Sequence, residues 1–496
     1  MIPAGPEAAG AAFPDTGIRW PGTPWARTLA AAIAASVVFA VILASPRPLV
    51  VMGMAVVCVA LGGIASEWRQ GRLMSLDVMV YAFSLLAFGA RPLFLAGHYA
   101  QLGSWDPAQN AQQYLSDFRS QEIVEFISSR FPGDVSGLLI AAELMGVVFL
   151  SCFLVGRIAG ARMPSVTPGT RLFPHAPSER ALSALITGLV LMGFAGQAIV
   201  ISSVGGIGQA LANLESQLTL RQSFAGFVLA NFAVAACLLW AAFGRLRGTA
   251  GIAFGLLLAE TVVFAALTGS RTRTFLPVMA VAIVVHLCRR RFLLREAVVG
   301  ILCAAAFAGM FLTLRQVSSD RPLGEAVATG ISRGASLQVL ANDHATFDAL
   351  VMMQAIVPEQ VPHQDGRRLA AGFTGMIPSA IYPAKPEEGD VWFRRQLWGD
   401  ARQAGRPYTL PGELWLDFSW IGLALGSLGL GLLCARLRWD MRRTFTSGQA
   451  LVASVMGLVM WELLNGVWSS ATSTAVEFGA PLLLAAFVAR RTAAPA

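Results

Sequence analysis

The sequence predicts an all-α protein that crosses a lipid bilayer about twelve times and carries one large loop on the outer side. Three observations predict it. Of 496 residues, 55% are hydrophobic and 13% charged, and mean hydropathy is +0.61; a soluble domain carries about 25% charge. Apolar runs of about 20 residues, the length of a membrane-crossing helix, recur along the chain. Arginines gather in alternate connections, the bias that orients spans in a membrane. The expected spans are 28–45, 48–65, 75–96, 136–156, 181–204, 224–243, 250–268, 274–288, 297–314, 411–434, 449–468 and 475–489.

Arginine placement sets the direction. With the N-terminus inside, the inner connections hold Arg69 and Arg72, Arg157 and Arg162, Arg245 and Arg247, Arg289, Arg290 and Arg291, then Arg436, Arg438, Arg442 and Arg443. The outer turns are poorer in arginine, so both termini fall in the cytoplasm. The division is a tail at 1–27, nine spans in 28–314, a large loop at 315–410, three spans in 411–489 and a tail at 490–496. The net charge of +8 is thereby a topology signal and implies no nucleic-acid partner. Cys58, Cys152, Cys237, Cys288, Cys303 and Cys434 fall in spans or at their inner ends. No outer cysteine offers a disulfide framework. Residues 97–135 contain an expected interfacial helix, with Leu115, Phe118, Ile123, Phe126 and Ile127 toward one side.

Charge inside a span is costly and normally meets a partner or a cavity. The spans hold Asp77, Arg91, Glu143, Glu260, Glu413, Asp417, Glu462 and Glu477. Singly, each acid pairs with an arginine to pack helices. As a set, mostly in the outer half, they predict a polar cavity open to the outside. Thr268-Gly269-Ser270-Arg271-Thr272-Arg273 forms a short outer turn that aims two guanidiniums. Guanidinium matches phosphate in a bidentate fork, so the turn either binds an anionic ligand or pairs with an acid or a headgroup.

The loop at 315–410 holds nine arginines, the only lysine (Lys385), ten carboxylates and two histidines. A loop so long is functional or disordered, and its aromatics argue for function. Residues 335–357 read as an amphipathic helix bearing Asp343, His344 and Asp348; His344 could serve as a general base or merely be solvated. Beyond it lie Lys385, Arg394, Arg395, Arg402 and Arg406. Tyr382, Trp392, Phe393, Trp398 and Tyr408 could stack on sugars or anchor the loop at the membrane interface. The chain has no P-loop, HExxH, GxSxG, Rossmann glycine pattern or Cys/His metal spacing. Nucleotide binding, zinc chemistry and serine hydrolysis therefore have no support.

The order of motifs resembles a known family. It runs from Gly269-Ser270-Arg271 entering a span to a long outer loop with Ile377-Pro378 and Tyr382-Pro383-Ala384-Lys385-Pro386. Pro411-Gly412-Glu413-Leu414-Trp415 and Phe418-Ser419-Trp420-Ile421-Gly422 then lead into a Gly-rich span. Residues 180–490 in this order resemble the Wzy-type polymerases of O-antigen and exopolysaccharide repeat units, relatives of the O-antigen ligases. The resemblance implies a large periplasmic loop and a bacterial inner-membrane location. It implies transfer of a growing glycan from undecaprenyl diphosphate to a second lipid-linked unit. Donor and acceptor lipids and the surrounding membrane are the implied partners, with a chain-length regulator as a further one; no cofactor or metal is implied. Arg271, Arg273 and Arg315 would hold the diphosphate, and His344 or Glu413 would deprotonate the acceptor hydroxyl. Arg221, Tyr382, Lys385, Trp392, Arg394, Arg395 and Asp417 would bind substrate. A ligase, or a transporter of lipid-linked sugars, is the alternative.

Overall fold

The computed structural model describes residues 48–95, 135–166, 173–206, 224–300, 346–399, 408–437 and 446–492, apart from 71, 73, 94, 165, 174–175, 204, 268–270, 294, 297–298, 376 and 378–380. All belong to one unit, Arg47–Ala496. The elements are helices. In order they are α1 (Pro48–Arg69), α2 (Leu76–Ser84, continued by a π-helical turn Leu85–Ala90), α3 (Val135–Gly160) and α4 (Glu179–Ser203). Next come α5 (Phe224–Ala230), α6 (Phe232–Phe243), α7 (Gly248–Leu267) and α8 (Arg271–Cys288). Then follow α9 (Thr346–Ile356), α10 (Arg367–Thr374), α11 (Gly389–Trp398), α12 (Thr409–Arg436), α13 (Ser447–Asn465) and α14 (Trp468–Thr492).

Among the described residues, nine helical stretches are long and apolar enough to cross a bilayer. They match nine of the expected spans. Helix is the expected answer, because lipid offers nothing to bond an open backbone. The expected span 274–288 is the shorter helix α8. The expected span 28–45 and nearly all of 297–314 lie outside the described residues, as do the tail at 1–27 and the expected interfacial helix before residue 135.

Local sequence sets several helix ends. Ser75 caps α2 by accepting from the Val78 N–H at 3.3 Å. Thr446 and Gln449 form a reciprocal capping box at the start of α13. Lipid supplies no strong hydrophobic drive between spans, so close packing must hold them. The α3–α12 contact shows how. A Cβ on Gly156 would strike the Leu428 carbonyl, and one on Gly431 would strike the Phe153 carbonyl. Gly160 lies against Ala435 in the same seam. We expect Gly156→Leu to destabilise the protein by about 1–3 kcal/mol through overpacking. Thermal unfolding in detergent checks this, with Gly188→Leu, where nothing lies within 4 Å, as the neutral comparison. Equal melting of the two variants sinks the claim.

Among the described residues two large apolar cores result. One joins α1, α2, α3, α9, α12 and α13. The other joins α4 to α8 with α13 and α14. Helix α13 contributes to both. At one end of the first core Arg157 bonds Glu67, pairs with Asp77 at 3.1 Å and donates to the Tyr81 hydroxyl at 3.3 Å. Arg157 thus does more than orient a span: it neutralises two buried acids.

The loop helix corrects an expectation. The stretch expected as an amphipathic helix over 335–357 is, in its described part, α9, and it is buried on all sides. Nine of its eleven residues, all but Thr346 and Gln354, are buried, as is their neighbour Val357. The physical reason is that TFDALVMMQAI is apolar around its whole circumference except at Asp348 and Gln354. Asp348 meets Arg91 in a two-pronged pair, Nε–Oδ1 3.0 Å and Nη2–Oδ2 2.7 Å, with both side chains nearly inaccessible. Gln354 donates to the Met145 sulfur at 3.0 Å. The π-helical turn lies immediately before Arg91, a place where such turns often re-aim a residue.

Candidate functional site

Helix α12 is broken. Phe418 (φ −136°, ψ 19°) and Ser419 (φ 57°, ψ −156°) leave helical geometry inside it. The sequence predicts an unbroken span at 411–434; the structure shows a buried segment Thr409–Asp417 and a second segment from Trp420 to Arg436. A break frees carbonyls that lipid cannot satisfy. Here the chain before α10 satisfies them. Gln364 N–H bonds the Leu416 carbonyl and Asp365 N–H bonds the Asp417 carbonyl, both at 3.0 Å. Among the described residues three non-glycines adopt left-handed φ: Asp365 (48°), Thr409 (66°) and Ser419 (57°). One stands at each end of the buried segment and the third is bonded to Asp417. Such conformations cost about 1–3 kcal/mol each and gather at functional sites.

The buried segment carries two carboxylates one turn apart, and each sits on the N-terminus of another helix. Asp417 accepts from the N–H groups of Arg368 (3.2 Å) and Leu369 (2.9 Å), the second and third residues of α10. Glu413 Oε2 accepts from the Trp468 N–H, the first of α14, at 2.6 Å. Exposed amides at a helix start favour an anion, so both acids lock α10 and α14 onto α12. The Thr472 hydroxyl donates to the Gly372 carbonyl at 2.8 Å and closes the triangle. We expect Asp417→Ala to cost about 0.5–2 kcal/mol. Hydrogen exchange should show the Arg368 and Leu369 amides losing protection first; unchanged protection there overturns this reading.

Arg368 is the residue that sequence reasoning missed. It is 8% exposed. Its guanidinium lies over the Trp392 ring, 4.7 Å from the centroid, and Nη1 donates to the Glu387 carbonyl at 3.3 Å. Its Nε has no acceptor. Other buried donors share that condition among the described residues: the Tyr408 and Thr409 hydroxyls and the indole N–H groups of Trp415 and Trp468. Trp415 stacks edge-on against His363 at 5.2 Å, and Trp468 against Phe373 at 5.6 Å. Burial pushes the Tyr408 phenol well above its ordinary pKa; Glu413, Asp417 and Asp390 push the same way and Arg368 opposes them. Tyr408 is therefore a neutral hydroxyl at any working pH. Buried donors without acceptors are costly; of these hydroxyls and indoles, the Tyr408 hydroxyl is the one within electrostatic reach of Arg368.

The other expected site residues divide clearly. Glu413 and Asp417 come together with Arg368, and Trp392 carries the stacked guanidinium. Arg394 is buried in α11. Arg395 pairs with Glu387 at 2.9 Å. Lys385 donates to the carbonyls of Gly375 and Ile377, both at 3.2 Å, and holds the loop's shape. Tyr382 is exposed. Arg271 and Arg273 are the first and third residues of α8, so the expected turn is already helix there. Arg221, Arg315 and His344 lie outside the described residues.

The described residues place several charges of the spans in different settings. Asp77 is taken by Arg157 and Arg91 by Asp348, while Glu413 and Asp417 cap helices. Glu477 lines a separate cavity of about 30 Å³ with Gln197, Asn231 and Thr261, and accepts from Asn231 at 3.3 Å. That volume suits a water molecule or two.

Among the described residues, fold and site define a helical membrane protein in which α9, α10 and α11 pack with the spans around a broken helix. The chain matches no family model, no curated protein and no solved structure.

Proposed function

We propose that the protein polymerises undecaprenyl-diphosphate-linked oligosaccharide repeat units at the periplasmic face of a bacterial inner membrane. The observation that carries the reading is the buried Arg368, seated on Trp392 beside Asp417 and within electrostatic reach of the Tyr408 hydroxyl, which lacks an acceptor among the described residues. A glycan is a dense set of hydroxyl and ring oxygens, and a diphosphate is the acceptor a guanidinium fits best. The donor sugar leaves its lipid diphosphate as the acceptor hydroxyl attacks. Arg368, with Arg271, Arg273 and Arg315, stabilises the charge growing on the departing diphosphate. Glu413 takes the hydroxyl proton; its Oε1 makes no hydrogen bond among the described residues, while Oε2 is held by Trp468. Trp392 and Tyr382 supply stacking faces for sugar. Bilayer lipid keeps both polyprenyl tails at the site, and a chain-length regulator is a further partner.

A broken helix is also how transporters build substrate sites, so a carrier of lipid-linked sugars is the second reading. Deleting the gene and resolving the surface polysaccharide by size separates them. A collapse from a ladder to one repeat unit, restored by the wild-type chain, supports the polymerase. Full-length polymer left on its lipid carrier makes the protein a ligase. Repeat units trapped on the cytoplasmic side make it a transporter.

A further inference from the structure

A set of apolar side chains stands exposed on the loop. Phe373 is 56% exposed, Ile381 75%, Ile377 36% and Tyr382 37%. Water-facing loops rarely keep so many large apolar groups together, and such patches mark an interaction surface. Three observations say what covers it. The first is continuity. The loop reaches α12 at its break, where the Phe418 ring fills the space that a Cβ on Gly366 would need. From there the exposed face of α12 runs on through Ile421 (72%) and Leu425 (64%), spaced four apart along one side of a helix long and apolar enough to cross a bilayer. The second is the pattern of α10. Arg367 and Ala370 are exposed with Phe373 at three-residue spacing, while Arg368, Ala371 and Gly372 are buried. An apolar ring with an arginine on the same outward side suits the boundary between acyl chains and phosphates. The third is proximity. Lys385 donates from Nζ to the Gly375 and Ile377 carbonyls and from its backbone N–H to the Tyr382 carbonyl, which holds Ile377 near Ile381 and Tyr382.

We propose that this part of the loop lies on the bilayer, with Phe373, Ile377 and Ile381 entering the headgroup–acyl boundary of the leaflet that surrounds Ile421, and with Arg367 at its phosphates. The partner is the lipid surface itself. The inference does not depend on the reaction proposed above.

The test uses the full chain in vesicles of phosphatidylethanolamine and phosphatidylglycerol. Ile381→Cys, in a chain whose own cysteines are replaced by alanine, receives an environment-sensitive fluorophore; Ile421→Cys provides the in-lipid reference and shows that the protein has inserted. The expected result is blue-shifted emission at position 381, quenched by lipids bearing a shallow nitroxide and shielded from aqueous iodide. Quenching by iodide alone overturns the proposal by placing the loop in water. Shielding from both overturns it in favour of a second copy or another protein. In the otherwise unchanged chain, a photocrosslinking amino acid at position 381 should capture phospholipid. Capture of protein, or of nothing, overturns the proposal without relying on the cysteine-free background.

Discussion

Arg91→Ala and Asp348→Ala should each lower stability by about 3–5 kcal/mol, the cost of stranding one member of a buried ion pair. Both side chains are almost wholly inaccessible, at 2% and 3%. Arg91 caps the π-helical turn that continues α2, and Asp348 is the one acid of α9, whose Phe347, Leu350, Val351, Met352 and Met353 are all buried. Neither position offers water to the survivor. The double variant Arg91→Met with Asp348→Leu should lose less than the sum of the two single variants, because it removes the arginine's charge together with that of its bonded acid. Thermal unfolding in detergent of the two single variants and the double variant gives the coupling directly. Additive losses would mean that the contact contributes nothing.

On the polymerase proposal, Arg368→Ala should abolish long polysaccharide while leaving the protein in the membrane at normal level. Removing one preorganised group that stabilises developing charge lowers turnover by about 10²–10³-fold, enough to collapse a ladder toward single units. Arg368→Lys should not restore it. Lysine keeps the charge but loses the planar fork and the stacking on Trp392. Trp392→Ala should lie between, since it loosens the guanidinium without deleting it. A full ladder from Arg368→Ala would remove this arginine from the site, whatever the reaction proves to be.

Much of the fold is legible in the sequence. Apolar runs place α1, α4 and α13 within a few residues, because a bilayer tolerates few departures from length and hydropathy. What hydropathy cannot show is the path of the loop. Asp348 makes α9 read as amphipathic, and its partner Arg91 lies 257 residues earlier. The break at Phe418–Ser419 has neither proline nor glycine at its centre; it exists because residues 364 and 365 supply the missing donors. Glu413 and Asp417 are visible as costly acids in a span, but not as caps of α10 and α14. Arg368 hides beside Arg367 as one of an ordinary basic pair, and only burial tells the two apart.

The pairing of Arg91 with Asp348 also bears on the order of events at the ribosome. The stretch Leu76–Leu93 is, with Ser447–Asn465, the least apolar of the nine found among the described residues, and its Arg91 is translated well before the acid it bonds. At about 5–20 residues per second, the intervening stretch takes on the order of 10–50 s to synthesise. Throughout that interval the first spans are a provisional assembly, and their final seating waits for α9 to slot in from a segment translated after most of the bundle is already in place.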